Sequence, residues 1–158
     1  MNGDKKKVRL EDMLPVIVQK LESGGEVTIP VTGTSMNPML LQGRDYAVLR
    51  SAPGHLNKND IPFYRRDNGQ FVLHRVVGED ENGYIMRGDN QTVNEYGVRH
   101  GQIIGILVAV ERDGKRIPVE SIKFMPNNSF HTQINFFRRA KAGVKKRIGK
   151  AFHGKKEK

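Results

Sequence analysis

Residues 71 to 87 read F-V-L-H-R-V-V-G-E-D-E-N-G-Y-I-M-R. Two apolar runs, 71–77 and 83–87, are each of strand length, and Glu81-Asn82-Gly83 between them carries turn chemistry. The stretch is therefore predicted to form two short strands joined by a turn. His74 stands inside the first of them, an imidazole among aliphatic neighbours.

Working outward, the same grammar repeats. E-V-T-I-P-V at 26–31, D-Y-A-V-L-R at 45–50 and I-I-G-I-L-V-A-V at 103–110 also read as strands. Pro53-Gly54, Asp67-Asn68-Gly69 and Asp113-Gly114 mark further turns. Strands at this spacing, with no helical period between them, predict a mainly β, mostly antiparallel domain. Upstream the period changes. Leu10, Met13, Leu14, Ile17, Val18 and Leu21 recur at helical spacing, Glu11 and Asp12 suit the positive helix start, and Gly24-Gly25 end it. Pro15 is tolerated only within a first turn, so the helix is expected to begin later than its apolar pattern. The expected organisation is an N-terminal helix in 1–25, a β-domain in 26–126, and a linker with a basic tail in 127–158.

The chain has 158 residues, enough for one ordinary domain, with no cysteine for a disulfide, a thiol nucleophile or a thiolate metal site. Its net charge of +10 would suggest a polyanion partner if it were spread over the domain. Residues 137 to 158 hold ten Lys/Arg and one Glu, while the remainder holds 17 basic and 16 acidic side chains. The charge thus belongs to the tail, and a nucleic-acid-binding body is not expected. In the tail Phe137, Val144, Ile148 and Phe152 recur at helical spacing among lysines and arginines. Such a segment suits peripheral contact with an anionic membrane, or else a solvated tail. No apolar run approaches the roughly 20 residues of a membrane span. The N-terminal M-N-G-D-K-K-K-V-R-L-E-D has no apolar stretch after its basic residues, so a cytoplasmic protein is expected, peripheral to the inner face of the membrane if the tail binds there.

Residues 33 to 40, G-T-S-M-N-P-M-L, carry the most specific chemistry. Gly33 permits positive φ or close backbone approach, and Pro38 stiffens the turn after Ser35. A serine on a rigid turn offers a defined Oγ and its own amide as an oxyanion donor. Serine between glycine and proline is also ordinary turn chemistry, and a histidine in a strand is more often structural than catalytic.

The segment resembles the nucleophile box of type I signal peptidases, S-M-x-P-x-L after a small residue. N-D-I-P-F-Y-R-R from Asn59, F-V-L-H-R-V-V, and Y-I-M-R-G-D-N ending at Asn90 are similar to the rest of that family's core, in the same order. The resemblance spans about residues 26 to 110. It implies a signal peptidase/LexA-like β-domain and a serine endopeptidase acting on a precursor or leader peptide through an acyl-enzyme, without cofactor or metal. Ser35 would be the nucleophile, within Gly33, Thr34, Met36 and Pro38. His74 stands where many relatives place a lysine, as in the branch resembling the endoplasmic-reticulum and archaeal-type enzymes. An imidazole with a pKa near 6.5 can accept a proton at neutral pH without the burial a lysine needs. Asp89, in R-G-D-N, is the first choice to orient His74. Glu95, where the family has a second aspartate, is the second choice. Gly33 replaces the hydroxyl some relatives use for the oxyanion, which leaves the Ser35 N–H as the named donor. The alternative is a peptide-binding module on the same fold, with weak or no turnover. A repressor reading is not favoured, since one helix before residue 26 is too little for a helix-turn-helix domain.

Overall fold

The first helix, α1 (Leu10–Glu22), follows its apolar stripe: Ile17 and Leu21 are buried, with Leu10, Leu14 and Val18 half-buried beside them. It begins at Leu10 despite Pro15, contrary to the late start expected from that proline. Pro15 is exposed, so its ring faces solvent and the missing N–H removes only one helical bond, to Glu11 O, while the opposite face packs. The helix stops in a Schellman arrangement. Gly24, at φ +79°, donates to Leu21 O and Gly25 to Lys20 O, both at 3.0 Å.

The structure is a computed structural model that describes residues 9 to 123. It is mainly β, as expected, with α1 preceding two antiparallel sheets. The strands are β1 (Val27–Pro30), β2 (Asp45–Arg50), β3 (Pro62–Arg65), β4 (Phe71–Leu73), β5 (Arg75–Asp80), β6 (Gly83–Arg87), β7 (Glu95–Val98), β8 (Ile103–Arg112) and β9 (Lys115–Pro118). A short helix, α2 (Val119–Lys123), follows. The larger sheet runs β1-β2-β8-β3-β4, with β9 on the far end of β8, and the smaller runs β5-β6-β7. The basic segment 137–158 and the linker before it lie outside the described residues. Among the described residues no helix is long and apolar enough to cross a membrane.

One expectation needs correction at the centre of the fold. Residues 71–77 are not one strand: the chain leaves the larger sheet after Leu73 and enters the smaller one at Arg75. Leu73 lies opposite Phe63 on β3, whereas Arg75 lies opposite Arg87 on β6. Past the break the chain still touches the residues before β3: Asn59 N donates to Val76 O (2.9 Å) and Val76 N to Asp60 O (2.8 Å). His74 is the residue at the junction.

Two clusters of buried apolar side chains fill the interior, and the second draws on both sheets. Ile17, Leu21, Met36, Met39, Leu40, Leu49, Phe63 and Leu107 pack together in one, and Leu56, Tyr64, Val76, Tyr84 and Met86 in the other. Helix α1 approaches closely because Gly105 on β8 has no side chain. A Cβ there would lie 2.8 Å from Arg50 O and 3.0 Å from Leu21 Cδ1.

Candidate active site

Ser35 sits on a turn anchored from below and from both ends. Met36, Met39 and Leu40 are buried in the larger core, while Gly33 and Thr34 are exposed and Ser35 is half-buried. Gly33 takes φ +75° and donates its amide to Gln42 Oε1 at 2.6 Å. Leu40 N closes a helical turn on Met36 O at 3.0 Å. Pro38 is exposed and follows a cis peptide bond from Asn37. At the far end Arg112 donates to Met39 O (3.0 Å) and forms a two-point contact with the buried carboxylate of Asp45.

The turn after β6 clasps this loop from the other sheet. Asn90 donates its amide to Ser35 O at 2.7 Å and its side chain to Thr34 O at 3.1 Å. Gly88 makes this approach possible, since a Cβ there would sit 2.6 Å from Ser35 O. Between them, Asp89 accepts two hydrogen bonds from Arg75, at 2.8 and 2.7 Å. Arg75 is 2% exposed and also donates to Asn59 O (3.3 Å) and Met39 Sδ (3.0 Å). The ion pair therefore joins the Ser35 loop, the loop before β3, the start of β5 and the 88–90 turn.

His74 is 2% exposed. Its Nδ1 lies 3.4 Å from the Tyr64 hydroxyl and 3.8 Å from Glu95 Oε2, and Tyr64 donates to that same Oε2 at 2.8 Å. The two rings meet edge to face at 6.3 Å. Arg66 grips Glu95 through both oxygens, Nε to Oε1 at 2.7 Å and Nη2 to Oε2. Burial, then the Arg66 guanidinium, push the imidazole down to about 4, while Glu95 and Asp89 pull the other way. His74 is therefore neutral at pH 7. Burial alone would raise the Glu95 carboxyl, but the Arg66 and Tyr64 hydrogen bonds outweigh it and hold the group below its usual range. The Tyr64 phenol is pushed up, by burial first and Glu95 second.

The sequence-predicted residues thus divide in two. Glu95 Oε2 lies 3.8 Å from His74 Nδ1, while Asp89, the first choice as orienter, is engaged by Arg75. Adjacent side chains of an extended chain point to opposite sides, so Arg75 meets the 88–90 turn while the imidazole meets Tyr64 on β3 and Glu95 on β7. Ser35 is tied to the turn bearing Asp89. No hydrogen bond joins Ser35 Oγ to His74, and among the described residues neither the Ser35 hydroxyl nor its amide has a hydrogen-bond partner. Among the described residues, Asn37 Oδ1 is the one fully buried side-chain polar atom without a partner.

Tyr64, Arg66, Arg75, Gly88 and Asn90 were not singled out from the sequence. The signal for them was present in F-Y-R-R and R-G-D-N, but nothing local says which arginine meets which carboxylate. His55 and His100 flank the Tyr84 hydroxyl instead, with Nδ1 at 3.5 and 3.2 Å, and His131 and His153 lie outside the described residues. Among the described residues no three ligating side chains gather to hold a metal. Compared with models of known protein families, with curated proteins and with solved structures, the chain matches none.

Proposed function

We propose that this chain is a serine endopeptidase that cleaves a precursor or leader peptide, with Ser35 as nucleophile and His74 as general base. Two observations support the reading: a buried, neutral imidazole is held on its Nδ1 side by Tyr64 and Glu95, and Ser35 sits on a turn tied through Asn90 to the smaller sheet with its hydroxyl unpartnered among the described residues. The Ser35 hydroxyl has no hydrogen bond to give up, and catalytic contacts commonly form or tighten only when substrate binds.

In the proposed reaction Ser35 Oγ attacks the scissile carbonyl carbon as its proton passes to His74 Nε2. The carbonyl π pair moves onto oxygen, facing the Ser35 N–H. Collapse re-forms the carbonyl and breaks the C–N bond, with Nε2 returning the proton to the leaving nitrogen. Water deprotonated by Nε2 then hydrolyses the Ser35 ester and restores the hydroxyl. The resemblance to type I signal peptidases supports the same roles. The basic segment 137–158 would add peripheral contact with an anionic membrane.

The test is labelling by a fluorophosphonate probe, read by intact mass. One adduct is expected on the native chain and none on Ser35→Ala or His74→Gln. A native chain that stays unlabelled would remove the enzyme reading. That result would favour a peptide-binding module, to which the open Ser35–His74 contact and the glycine at position 33 already lend weight.

A further inference from the structure

The separation of 3.8 Å between His74 Nδ1 and Glu95 Oε2 is too long for a hydrogen bond, so the carboxylate does not orient the imidazole directly. The Tyr64 hydroxyl fills the gap, at 3.4 Å from the ring nitrogen and 2.8 Å from the carboxylate. Tyr64 is fully buried, so its phenol cannot turn to water instead.

We infer that Tyr64 is the positioning residue that connects Glu95 to His74, fixing the ring proton on Nδ1 and leaving Nε2 bare. Donor counting at the phenol fixes the tautomer. A phenol has one proton to give, and an ionised carboxylate can only accept. The charged acceptor is much the stronger claimant, so the Tyr64 proton points to Glu95. What Tyr64 then shows to His74 is a lone pair, and the nitrogen facing it must be the one that carries hydrogen. If Nδ1 were the acceptor, Tyr64 would have to abandon Glu95 and leave a partly buried carboxylate short of a donor.

Arg66 completes the device by holding the carboxylate through both oxygens, so that Oε2 stays aimed at the phenol. When the ring takes a second proton at Nε2, the Nδ1–H bond to a phenol polarised by Glu95 strengthens. No proton leaves the ring towards Tyr64, because the phenol is held above and the carboxylate below its ordinary range. The proton stays on the imidazole for the next acceptor. The use of that base in peptide cleavage rests on the function proposed above; the tautomer does not.

The experiment is long-range 1H–15N NMR of the His74 ring at pH 7 in the full chain, assigned by its loss in His74→Gln. The native ring is expected in the Nδ1–H form. Tyr64→Phe keeps the ring and removes the hydroxyl, and should release His74 to the Nε2–H form preferred in water. Should that variant fail to fold, Glu95→Gln serves instead: with the charge gone, Tyr64 is free to donate to Nδ1 and the ring again becomes Nε2–H. A native ring in the Nε2–H form, or an Nδ1–H form that survives in the folded variant, overturns the inference. Ser35→Ala should leave the ring spectrum unchanged while abolishing turnover. An Nδ1–H native ring in a chain that proves to have no peptidase activity would sink the proposed function and leave this inference standing. With activity present, Tyr64→Phe should lower kcat roughly tenfold to a hundredfold at constant KM, the signature of a misaimed base.

Discussion

At the residue scale, burial of His74 sets the pH behaviour. A base works while neutral, and an imidazole pushed down to about 4 remains neutral well below pH 6. Activity measured as kcat/KM is therefore expected to stay level from pH 7 to about 5 and to fall below that. An acid limb near the ordinary histidine value would contradict the placement of the ring. Linkage gives a second readout. The folded value is depressed, so as pH falls through 6.5 the unfolded chain takes the proton first and the fold loses stability. The loss is complete below about 4. Between pH 7 and pH 5 it amounts to about 2 kcal/mol. Urea denaturation should show the native chain losing that much more than His74→Gln over the same interval. Neither effect was legible in the sequence, where His74 looks like any strand histidine. Its surroundings come from Tyr64, Arg66 and Glu95, none of them adjacent to it in the chain.

At the element scale, the Ser35 loop and the 88–90 turn behave as one unit. Met36 and Met39 hold the loop down, and Asn90 pins it from above at two points. Gly88 is where this contact is most sensitive. Gly88→Ala would drive a methyl group to 2.6 Å from a backbone oxygen that cannot yield as a side chain can. We expect a loss of about 1–3 kcal/mol in stability and of most fluorophosphonate labelling at Ser35, with secondary structure by circular dichroism retained. Normal labelling in that variant would show that the two elements do not depend on each other. The elements themselves were largely legible. Strands β2 and β6, the Asp113-Gly114 turn and the glycine stop of α1 follow from short-range pattern and turn chemistry. Strands β3, β7 and β9 did not announce themselves, for local reasons. Pro62 opens β3, Gly97 at φ +72° interrupts β7, and Pro118 ends β9. Pairing with neighbouring strands overrides those poor local preferences.

At the scale of the whole molecule, the chain passes from the larger sheet to the smaller one at His74, and the Arg75–Asp89 pair beside that crossing is tied to the Ser35 loop through Met39 and to the loop before β3 through Asn59. Breaking a buried ion pair strands a charge, at a cost of about 3–5 kcal/mol. Asp89→Asn should therefore lower the urea midpoint strongly, and any loss of activity should follow the loss of folded protein. Glu95→Gln should do the reverse, keeping most of the stability while reducing kcat. If Asp89→Asn folds normally and loses only kcat, Asp89 belongs to the chemistry after all. By itself the sequence determined the β class, the helix, most of the turns, and Ser35 and His74 as the pair to watch. Periodicity and turn preference act over a few residues and can be read there. Only the tertiary structure decided that the chain breaks at His74, that Arg75 takes Asp89, and that Tyr64 stands between Glu95 and the imidazole. Partners for a buried charge are chosen by which distant groups lose water together, and no local pattern encodes that.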